Sequence, residues 1–413
     1  MVNNTSKHIM EGFDKFISYD DAMNIFDSMN WKYPGKENIN INSSLNMISY
    51  DNVYSDQDIP EFNKSAVDGY ALKSSDIINA AINNPAMLKV IGSSEAGEKF
   101  SEKIKENQCI EVYTGSEIPD GADAVVKVED TEKHGDYIYV YSSLKHDNIF
   151  KKGEDIAKGY KILEKNERIL PQHIAAMASV RIDNITVYKK IKIGIISTGN
   201  EIANKKIVNS TGILLKNYYN NNNFIETLDG GIYSDNAHDI VKGINNIINA
   251  CDIIIVTGGT SLGRKDMTTD AVSSLGKLLF SGIAIKPGRT MAIFNVNNKP
   301  VISVSGLPVA ALLSSLIFIN RYIKNIYNFD YYKKITGILD ENIHNKIGFT
   351  LFQICRAYET NNKIHILPLK TTGSGILSTI IYGNSIAMVP ENLEGIENNK
   401  YVTVYMLGDI KWD

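Results

Sequence analysis

Residues 252–263 read DIIIVTGGTSLG, in which an apolar run passes directly into a glycine-rich loop. The same order recurs in KIGIISTGNE at 192–201 and in VISVSGLP at 301–308. Near-continuous apolar runs of this length are typical of strands that are buried on both faces of a sheet. Helical patterns alternate with them, near 235–250, from Met267 onward and over 309–325. This repeated order of strand, loop and helix predicts βαβ units with a parallel sheet, and therefore an α/β domain.

Shorter β-like runs lie on both sides of this region. The upstream runs are separated by Gly and Pro turns and predict a small β-rich domain: Met87–Ile91, Cys109–Tyr113, Ala124–Val128 and Tyr137–Tyr141. Residues 330–413 return to short strands and predict a second β domain. Around the first β-rich domain we expect a helix within 17–31 that Ser18 caps, a helix over 171–179 and a strand at 185–188.

Composition narrows the classes of function. The 413 residues include 43 basic and 47 acidic side chains, for a formal net charge of -4. This balance argues against a nucleic-acid or membrane partner bound through bulk positive charge. The three cysteines are far apart and form no C-x-x-C pair, so a reducing compartment is expected. With no signal-peptide pattern, and with Val309–Ile319 judged too short to span a bilayer, we expect a cytoplasmic protein.

Ligands of open α/β sheets bind outside the carboxyl ends of the strands, where three segments of this chain are expected. They are Ser197–Glu201, Thr257–Gly263 and Ser305–Pro308. Glycines let backbone N–H groups approach an anion, and a helix N-terminus adds positive potential. Neither a Walker A loop nor G-x-G-x-x-G is present. Each loop alone could be a tight turn, but three at one sheet edge favour an anion site.

Several single residues carry two interpretations each. Asp235, at the start of a predicted helix, and Asp266, five residues past Ser261, are either helix caps or metal ligands. Lys286, in the sequence IKPG, is either a cation for an oxyanion or a solvated lysine at a strand end. Asp68 is either a functional carboxylate or the first residue of an Asx turn.

Three further positions are weaker. Thr114 ends a β run before Gly115 and could donate to an oxyanion or close a turn. Arg356 is expected to follow an apolar strand, and residues 372–375 form a polar turn that contains Ser374.

Together these motifs resemble the MoeA family, the molybdopterin molybdenumtransferases that include the C-terminal domain of gephyrin. Asn63–Ala71 is similar to the N-S-A-M-D-G-Y-A signature of that family. The other matching segments follow in the same order along nearly the whole chain: Tyr113–Gly115 with Pro119–Val126, Gly153–Ile156, Ser197–Ile202, Gly258–Gly263 with Asp266, Lys286–Gly288, and Thr372–Gly375.

The resemblance implies a multidomain α/β and β fold. Residues 1–48 and 146–188 would form an elongated, discontinuous linker and dimerisation domain, and residues 49–145 an inserted β-rich domain. Residues 189–328 would be the α/β domain that binds molybdopterin, on a parallel sheet, and residues 329–413 a small β barrel. The resemblance also implies a homodimer, in which Asp68 would reach the active cleft of the other subunit.

The implied reaction inserts molybdate or tungstate into the dithiolene of adenylylated molybdopterin, with Mg²⁺-dependent release of AMP. By resemblance the catalytic residues are Asp68, Thr114, Glu201, Asp266 and Lys286. Those that bind the pterin, its phosphates or the oxyanion are Gly258, Gly259, Ser261, Arg356, Ser374 and Asp155. Asp235 and Asp266 would hold Mg²⁺, a hard ion that prefers carboxylate oxygens.

Four departures from the family pattern are expected to alter the pocket at the sheet edge. Gly282 replaces a second lysine, Asn200 replaces an Asp, Leu215-Lys216 replace an Asp-Ser pair, and Leu307 replaces an Asn. Two alternatives to a molybdate insertase therefore stay open, namely a preference for tungstate and a non-catalytic scaffold that binds molybdopterin. A molybdopterin adenylyltransferase ranks lower, because that single-domain enzyme has no use for the domain that carries Asp68.

Overall fold

The computed structural model describes residues 16–95, 97, 100–259, 267–369 and 377–412. The helices are α1 (Tyr19–Asp27), α2 (Pro171–Ser179), α3 (Asn200–Ala203), α4 (Ser210–Tyr219), α5 (Ala237–Ile247), α6 (Met267–Ser273), α7 (Pro308–Tyr327) and α8 (Leu377–Tyr382). Short 3₁₀ helices cover Ile41–Ser43, Ser74–Ile77 and Val128–Asp130.

The strands up to residue 188 are β1 (Lys36–Asn40), β2 (Val53–Tyr54), β3 (Lys64–Ser65), β4 (Gly69–Leu72), β5 (Ala86–Ser94), β6 (Gln108–Val112), β7 (Ala124–Lys127), β8 (Thr131–His134), β9 (Tyr137–Val140), β10 (Ile149–Phe150), β11 (Lys161–Leu163) and β12 (Asn184–Tyr188). Those of the α/β region are β13 (Ile191–Thr198), β14 (Ile225–Tyr233), β15 (Ile253–Thr257), β16 (Lys277–Ser281), β17 (Ile285–Lys286), β18 (Ala292–Val296) and β19 (Lys299–Val304). The C-terminal strands are β20 (Lys334–Leu339), β21 (Ile343–His344), β22 (Thr350–Thr360), β23 (Lys363–Pro368), β24 (Ser385–Val389), β25 (Gly395–Ile396), β26 (Tyr401–Met406) and β27 (Lys411–Trp412).

Residues 38–45 and 49–186 form one compact unit. Its main sheet has the order β7-β4-β6-β5-β9-β8, in which β5 and β6 are parallel and the other neighbours antiparallel. The four predicted β runs correspond to β5, β6, β7 and β9. Leu72, Leu88, Val126 and Ile138 are almost completely buried and form part of the core on one face of this sheet.

The other compact unit consists of residues 1–37, 46–48 and 187–413. Its α/β part has a six-stranded sheet of order β14-β13-β15-β19-β18-β16, whose first four strands are parallel. The predicted parallel sheet is thus confirmed for these four strands. Two unpredicted antiparallel strands, β18 and β16, complete one edge. Asn297 and Asn298 both have positive φ and form the two-residue turn between β18 and β19, which is a hairpin signal that the sequence carries.

The C-terminal part closes into a five-stranded barrel. The strands follow the path β22-β23-β20-β26-β24, and pairing between β22 and β24 closes the ring. The predicted β barrel is therefore confirmed. The two-residue strand β17 precedes the barrel in the sequence and extends its sheet. Ile285 and Lys286 pair in parallel with Thr350 and Leu351 of β22.

Helix α7 lies at the centre of the largest apolar core of this unit. It starts with Pro308, which suits a first helical turn, and stops at Asn328, whose φ of 59° ends the helix in the left-handed region. The stretch Val309–Ile319 is too short by itself to cross a membrane, but the helix continues to Tyr327. It is the one helix, within the described part of the chain, long and apolar enough to do so, and 72% of its apolar window is buried inside the protein.

The N-terminal helix α1 is fixed to α7. Ser18 caps it as predicted, because Ser18 Oγ accepts a hydrogen bond from Asp21 N–H at 3.0 Å. Asp27 at its end accepts two hydrogen bonds from Arg321 Nε of α7, at 2.8 and 2.9 Å, and one from Asn325. The helix therefore packs as part of the α/β core.

Candidate functional site

A cavity of about 730 Å³ opens at the carboxyl ends of β13, β15 and β19. It is lined by Thr198, Asn200, Glu201, Ile202, Ile207, Val208, Asn209, Ser210, Thr211, Asp235, Gly258, Gly259, Met267, Ser305, Gly306, Leu307 and Pro308. All three glycine-containing loops predicted for this edge thus contribute to one cavity. Its volume is within the range of small-molecule binding sites.

One main-chain hydrogen bond and one from a side-chain hydroxyl hold the three loops together. Gly258 N–H donates to Val304 O at 3.0 Å, and Thr198 Oγ1 donates to Thr257 O at 3.2 Å. Gly258 has a φ of +96°, and a Cβ added there would lie 2.2 Å from Thr198 O. Only glycine therefore fits at position 258, which keeps the backbone open toward the cavity.

Helices α4 and α7 both begin at the cavity. Asn209 caps α4 by accepting a hydrogen bond from Gly212 N–H at 3.0 Å, whereas Leu307 precedes α7 and offers no side-chain cap. Thr211 Oγ1 donates to Gly306 O at 2.6 Å and joins the two helix starts. Both positive helix ends therefore border the cavity, as an anion site requires.

Sequence reasoning missed the segment Ile207–Thr211. It follows no strand, so the rule that places ligands after strands did not select it. The signal that could have found it is the run Asn209-Ser210-Thr211, three residues typical of helix starts, ahead of α4.

The acidic side of the cavity carries Glu201 and Asp235. Asp235 is not the cap of α5, because that role belongs to Asn236, whose Oδ1 accepts from Asp239 N–H at 2.8 Å. The interpretation of Asp235 as a cap was therefore wrong by one residue. Its Oδ2 accepts from Asn200 N–H at 3.4 Å, and its Oδ1 is buried with no hydrogen-bond partner in the described part of the chain.

These oxygens fit a Mg²⁺ ion. Over the described residues, no group of three or more His, Cys, Asp or Glu side chains could hold a metal ion by itself. Mg²⁺ commonly takes only one or two protein carboxylates and completes its shell with water and substrate phosphates. Asp235 lines the cavity, and its Oδ1 has no hydrogen-bond partner among the described residues, which suits that arrangement. Asp266, the second predicted ligand, lies outside the described residues, as do Ser261 and Ser374.

Lys286 and Arg356 do not line this cavity. Lys286 ends β17, and its Nζ atom lies 4.7 Å from the centre of the Phe349 ring, so the side chain is partly buried against an aromatic ring. Burial, and then the charges of Lys346 and Arg289, lower the pKa of Lys286. Arg356 lies inside β22 and does not follow the strand as expected.

Asp68, Thr114 and Asp155 belong to the other compact unit. Thr114 donates its N–H and its Oγ1 to the same Asp68 oxygen, Oδ1, at 2.7 and 2.8 Å. These two hydrogen bonds, the backbone one first, lower the pKa of Asp68. The bonding partner is 46 residues away, so Asp68 does not form the Asx turn that was the alternative. Asp155 is exposed, and its N–H donates to Ile59 O at 3.1 Å.

The chain is similar to known proteins over nearly its whole length. Three family models match in order: the MoeA N-terminal region (domain I and II) over 17–180, a probable molybdopterin binding domain over 194–325, and the MoeA C-terminal region (domain IV) over 336–407. A protein of Methanocaldococcus jannaschii named "Putative molybdopterin biosynthesis protein" is 32% identical over 385 residues, covering 89% of this chain and 92% of that protein. This chain belongs to the MoeA family.

Other MoeA relatives agree. A molybdopterin molybdenumtransferase of Haemophilus influenzae is 27% identical over 384 residues, covering 89% of this chain and 93% of that protein. A crystal structure of a MoeA molybdopterin biosynthesis protein from Pyrococcus horikoshii superimposes with a TM-score of 0.83 at 27% identity, over 96% of this chain and 100% of that chain. The predicted family, its multidomain fold and its role in molybdenum cofactor biosynthesis are confirmed, and the family is one of enzymes.

The departures from the MoeA pattern fall in different places. Asn200 and Leu307 line the cavity. Leu215 is fully buried in the apolar core, and Lys216 pairs with Asp229 at 3.5 Å, so the expectation that these two alter the pocket was wrong. Gly282 has a φ of +80°, a backbone conformation that disfavours the lysine expected there from the family resemblance.

Proposed function

We propose that this chain is a molybdopterin molybdenumtransferase. It inserts molybdate or tungstate into the dithiolene of adenylylated molybdopterin and releases AMP in a Mg²⁺-dependent step. The observation that carries the proposal is one cavity that combines an Asp235 carboxylate oxygen, without a hydrogen-bond partner among the described residues, with the N-termini of α4 and α7 and the Gly258-Gly259 turn. A cytoplasmic homodimer is part of the proposal.

The glycine side of the cavity suits the phosphates of such a substrate. The N-terminus of α7 has no side-chain cap, so its first N–H groups stay available to an anion. Gly258 and Gly259 expose the backbone beside it, and Ser261 follows in sequence. Backbone N–H donors and helix dipoles bind a phosphate without requiring a charged side chain.

The acidic side suits the metal that accompanies a phosphoanhydride. Asp235, with Asp266, would hold Mg²⁺, and Glu201 lines the same cavity as Asp235. When bound, Mg²⁺ supplies positive charge that offsets the charge on the phosphate oxygens. The chain's own contribution is to fix Asp235 through the hydrogen bond between its Oδ2 and Asn200 N–H.

The oxyanion is assigned to the basic residues of the family pattern. Lys286, Arg356 and Ser374 are proposed to meet molybdate, a tetrahedral dianion that needs fixed cations and hydroxyl donors. Burial, and then the positive charges of Lys346 and Arg289, lower the pKa of Lys286, and an anion bound beside these cations would be stabilised. Asp68, Thr114 and Asp155 are proposed as further functional residues on the family match.

A second candidate is a binding protein that holds molybdopterin without inserting metal. The specific observation that favours it is Gly282, which removes one cation of the usual pair and whose φ of +80° leaves no strain-free place for a lysine. Tungstate specificity remains within the first proposal, since both oxyanions carry the same charge and shape.

The test is anaerobic turnover of the purified chain with adenylylated molybdopterin and Mg²⁺, while molybdate or tungstate is titrated and AMP is quantified. Oxyanion-dependent AMP release is expected, together with a loss of at least about 100-fold in Asp235→Asn. The matched control is Asp229→Asn, an exposed aspartate outside the cavity. Tight nucleotide binding without AMP release for either oxyanion would replace the insertase by the binding protein.

A further inference from the structure

The polar cavity has an apolar rim. Three aliphatic side chains that line it, Ile207, Val208 and Leu307, are 59%, 74% and 47% exposed. Large aliphatic side chains in the same part of the chain are otherwise mostly buried in the two cores of the sheet. Exposed apolar groups collected around a cavity are typical of a surface that a ligand covers.

The rim stands next to the proposed phosphate site. Ile207 and Val208 precede the cap of α4, and Leu307 immediately precedes α7. The hydrogen bond from Thr211 Oγ1 to Gly306 O, at 2.6 Å, ties the two segments together. A ligand whose phosphate occupied the two helix N-termini would therefore place its neighbouring group within reach of these aliphatic side chains.

We propose that Ile207, Val208 and Leu307 form an apolar platform for the flat fused-ring system of the substrate. The inference rests on the proposed function, since that substrate carries two such rings, pterin and adenine, each linked to a phosphate. A flat heteroaromatic ring presents a largely apolar face that gains from contact with aliphatic groups. In this arrangement the polar edges of the ring remain free to contact solvent or the acidic side of the cavity, which carries Glu201 and Asp235.

Leu307 makes the platform particular to this chain. The family pattern has an Asn at this position, and the substitution replaces a polar amide by an aliphatic group that is 47% exposed in the cavity. Exposing a leucine at a helix start brings no benefit of its own, because it provides no cap. In the proposed platform, contact with a ring provides the stabilisation that a side-chain cap would otherwise give.

The experiment is anaerobic equilibrium binding to the full chain in the presence of Mg²⁺. The probes are AMP, molybdopterin without the adenylyl group, and ribose 5-phosphate as a phosphate ligand without a ring. The variants are Val208→Ser and Leu307→Asn. The matched control is Ile213→Ser, an isoleucine of α4 that is 54% exposed and does not line the cavity.

Each rim variant is expected to weaken binding of one ring ligand by about threefold to tenfold, and ribose 5-phosphate by less than about twofold. A loss confined to AMP identifies the ring as adenine, and a loss confined to molybdopterin identifies it as pterin. Equal losses for ringed and ringless ligands, equal losses in Ile213→Ser, or no measurable binding of either ring ligand to the wild-type chain would overturn the platform.

Binding without AMP release separates the two proposals. If the wild-type chain binds a ring ligand through the rim but never releases AMP, the insertase fails and the platform stands. If AMP release is normal while the rim variants bind like the wild type, the platform fails and the insertase stands.

Discussion

Asn200 and Asp235 exchange hydrogen bonds between the loop after β13 and the loop after β14. Asn200 N–H donates to Asp235 Oδ2 at 3.4 Å, and Asp235 N–H donates to Asn200 Oδ1 at 3.2 Å. One oxygen of Asp235 is thereby occupied, while Oδ1 is buried and has no partner in the described ranges. Asn200 therefore acts as a positioning residue that fixes the carboxylate proposed to hold Mg²⁺.

Substitution of Asn200 tests this role. Asn200→Ala removes the acceptor of Asp235 N–H, and we expect the Mg²⁺ concentration for half-maximal AMP release to rise about fivefold, as for loss of one hydrogen bond of about 1 kcal/mol. Asn200→Asp keeps the acceptor and adds a negative charge. The Mg²⁺ concentration for half-maximal AMP release should therefore fall in this variant. The measurement is a Mg²⁺ titration of AMP release, with melting curves to show that both variants fold. An equal change in the two variants would contradict the positioning role.

Thr114→Val should change the titration of Asp68. The substitution removes the hydroxyl donor but keeps the backbone N–H, so the pKa of Asp68 should rise part of the way to its usual range. Because that pKa is depressed in the native chain, the ionised form persists to low pH, and in the variant it is lost at a higher pH. Carboxyl ¹³C NMR measures this directly. Thr131→Val, whose hydroxyl donates to Val128 O, is the control and should leave Asp68 unchanged.

Lys346→Ala should shift the alkaline limit of oxyanion-dependent turnover. Burial is the main cause of the lowered pKa of Lys286, and Lys346 is the next, so removal of Lys346 raises this pKa without restoring it fully. A lowered pKa means that Lys286 loses its proton at a lower pH than an ordinary lysine. The variant should therefore keep its activity to higher pH. Lys363→Ala, on β23, is the control; a shift of the same size there would show a general charge effect.

Gly282→Lys should not restore the lysine of the family pattern. The N–H of Gly282 donates to Met291 O and its carbonyl accepts from Ile17 N–H, which hold the backbone at a φ of +80°. A side chain in this region costs about 1–2 kcal/mol, so we expect that loss in the free energy of unfolding and no gain in AMP release. Gly35→Lys is the matched control, because Gly35 has ordinary φ and open space around it. A variant as stable as the control and more active than the wild type would contradict this.

The parts of the fold that were predictable are those with local signals. The sequence predicts the buried strands, the glycine loops after them and the cap at Ser18, because each feature depends on residues that are close together in the sequence. The closure of the barrel through β22 and β24 was predictable only through the family, since it depends on pairing between distant segments. The antiparallel edge was missed although the positive φ of Asn297 and Asn298 follows from an ordinary turn preference.

The site was predictable to a similar degree. Glu201, Asp235, Gly258 and Gly259 do share a cavity, because the carboxyl ends of parallel strands meet at one edge. The partner of Asp68 was not predictable from spacing, because a hydrogen bond across 46 residues depends on the folded sheet. The aliphatic rim was missed for another reason: no rule for phosphate loops looks for exposed isoleucine or valine.

The pairing of β17 with β22 joins the α/β part of the chain to the barrel. Every described residue that lines the cavity precedes α7 or begins it, yet the strand that carries Lys286 gains its partner only from the barrel, through Thr350 and Leu351. A chain cut short after α7 would lose that partner strand together with Phe352, Ile354 and Ile386, residues of the C-terminal part that belong to the same apolar core as α7. The barrel is therefore part of the core that supports the cavity.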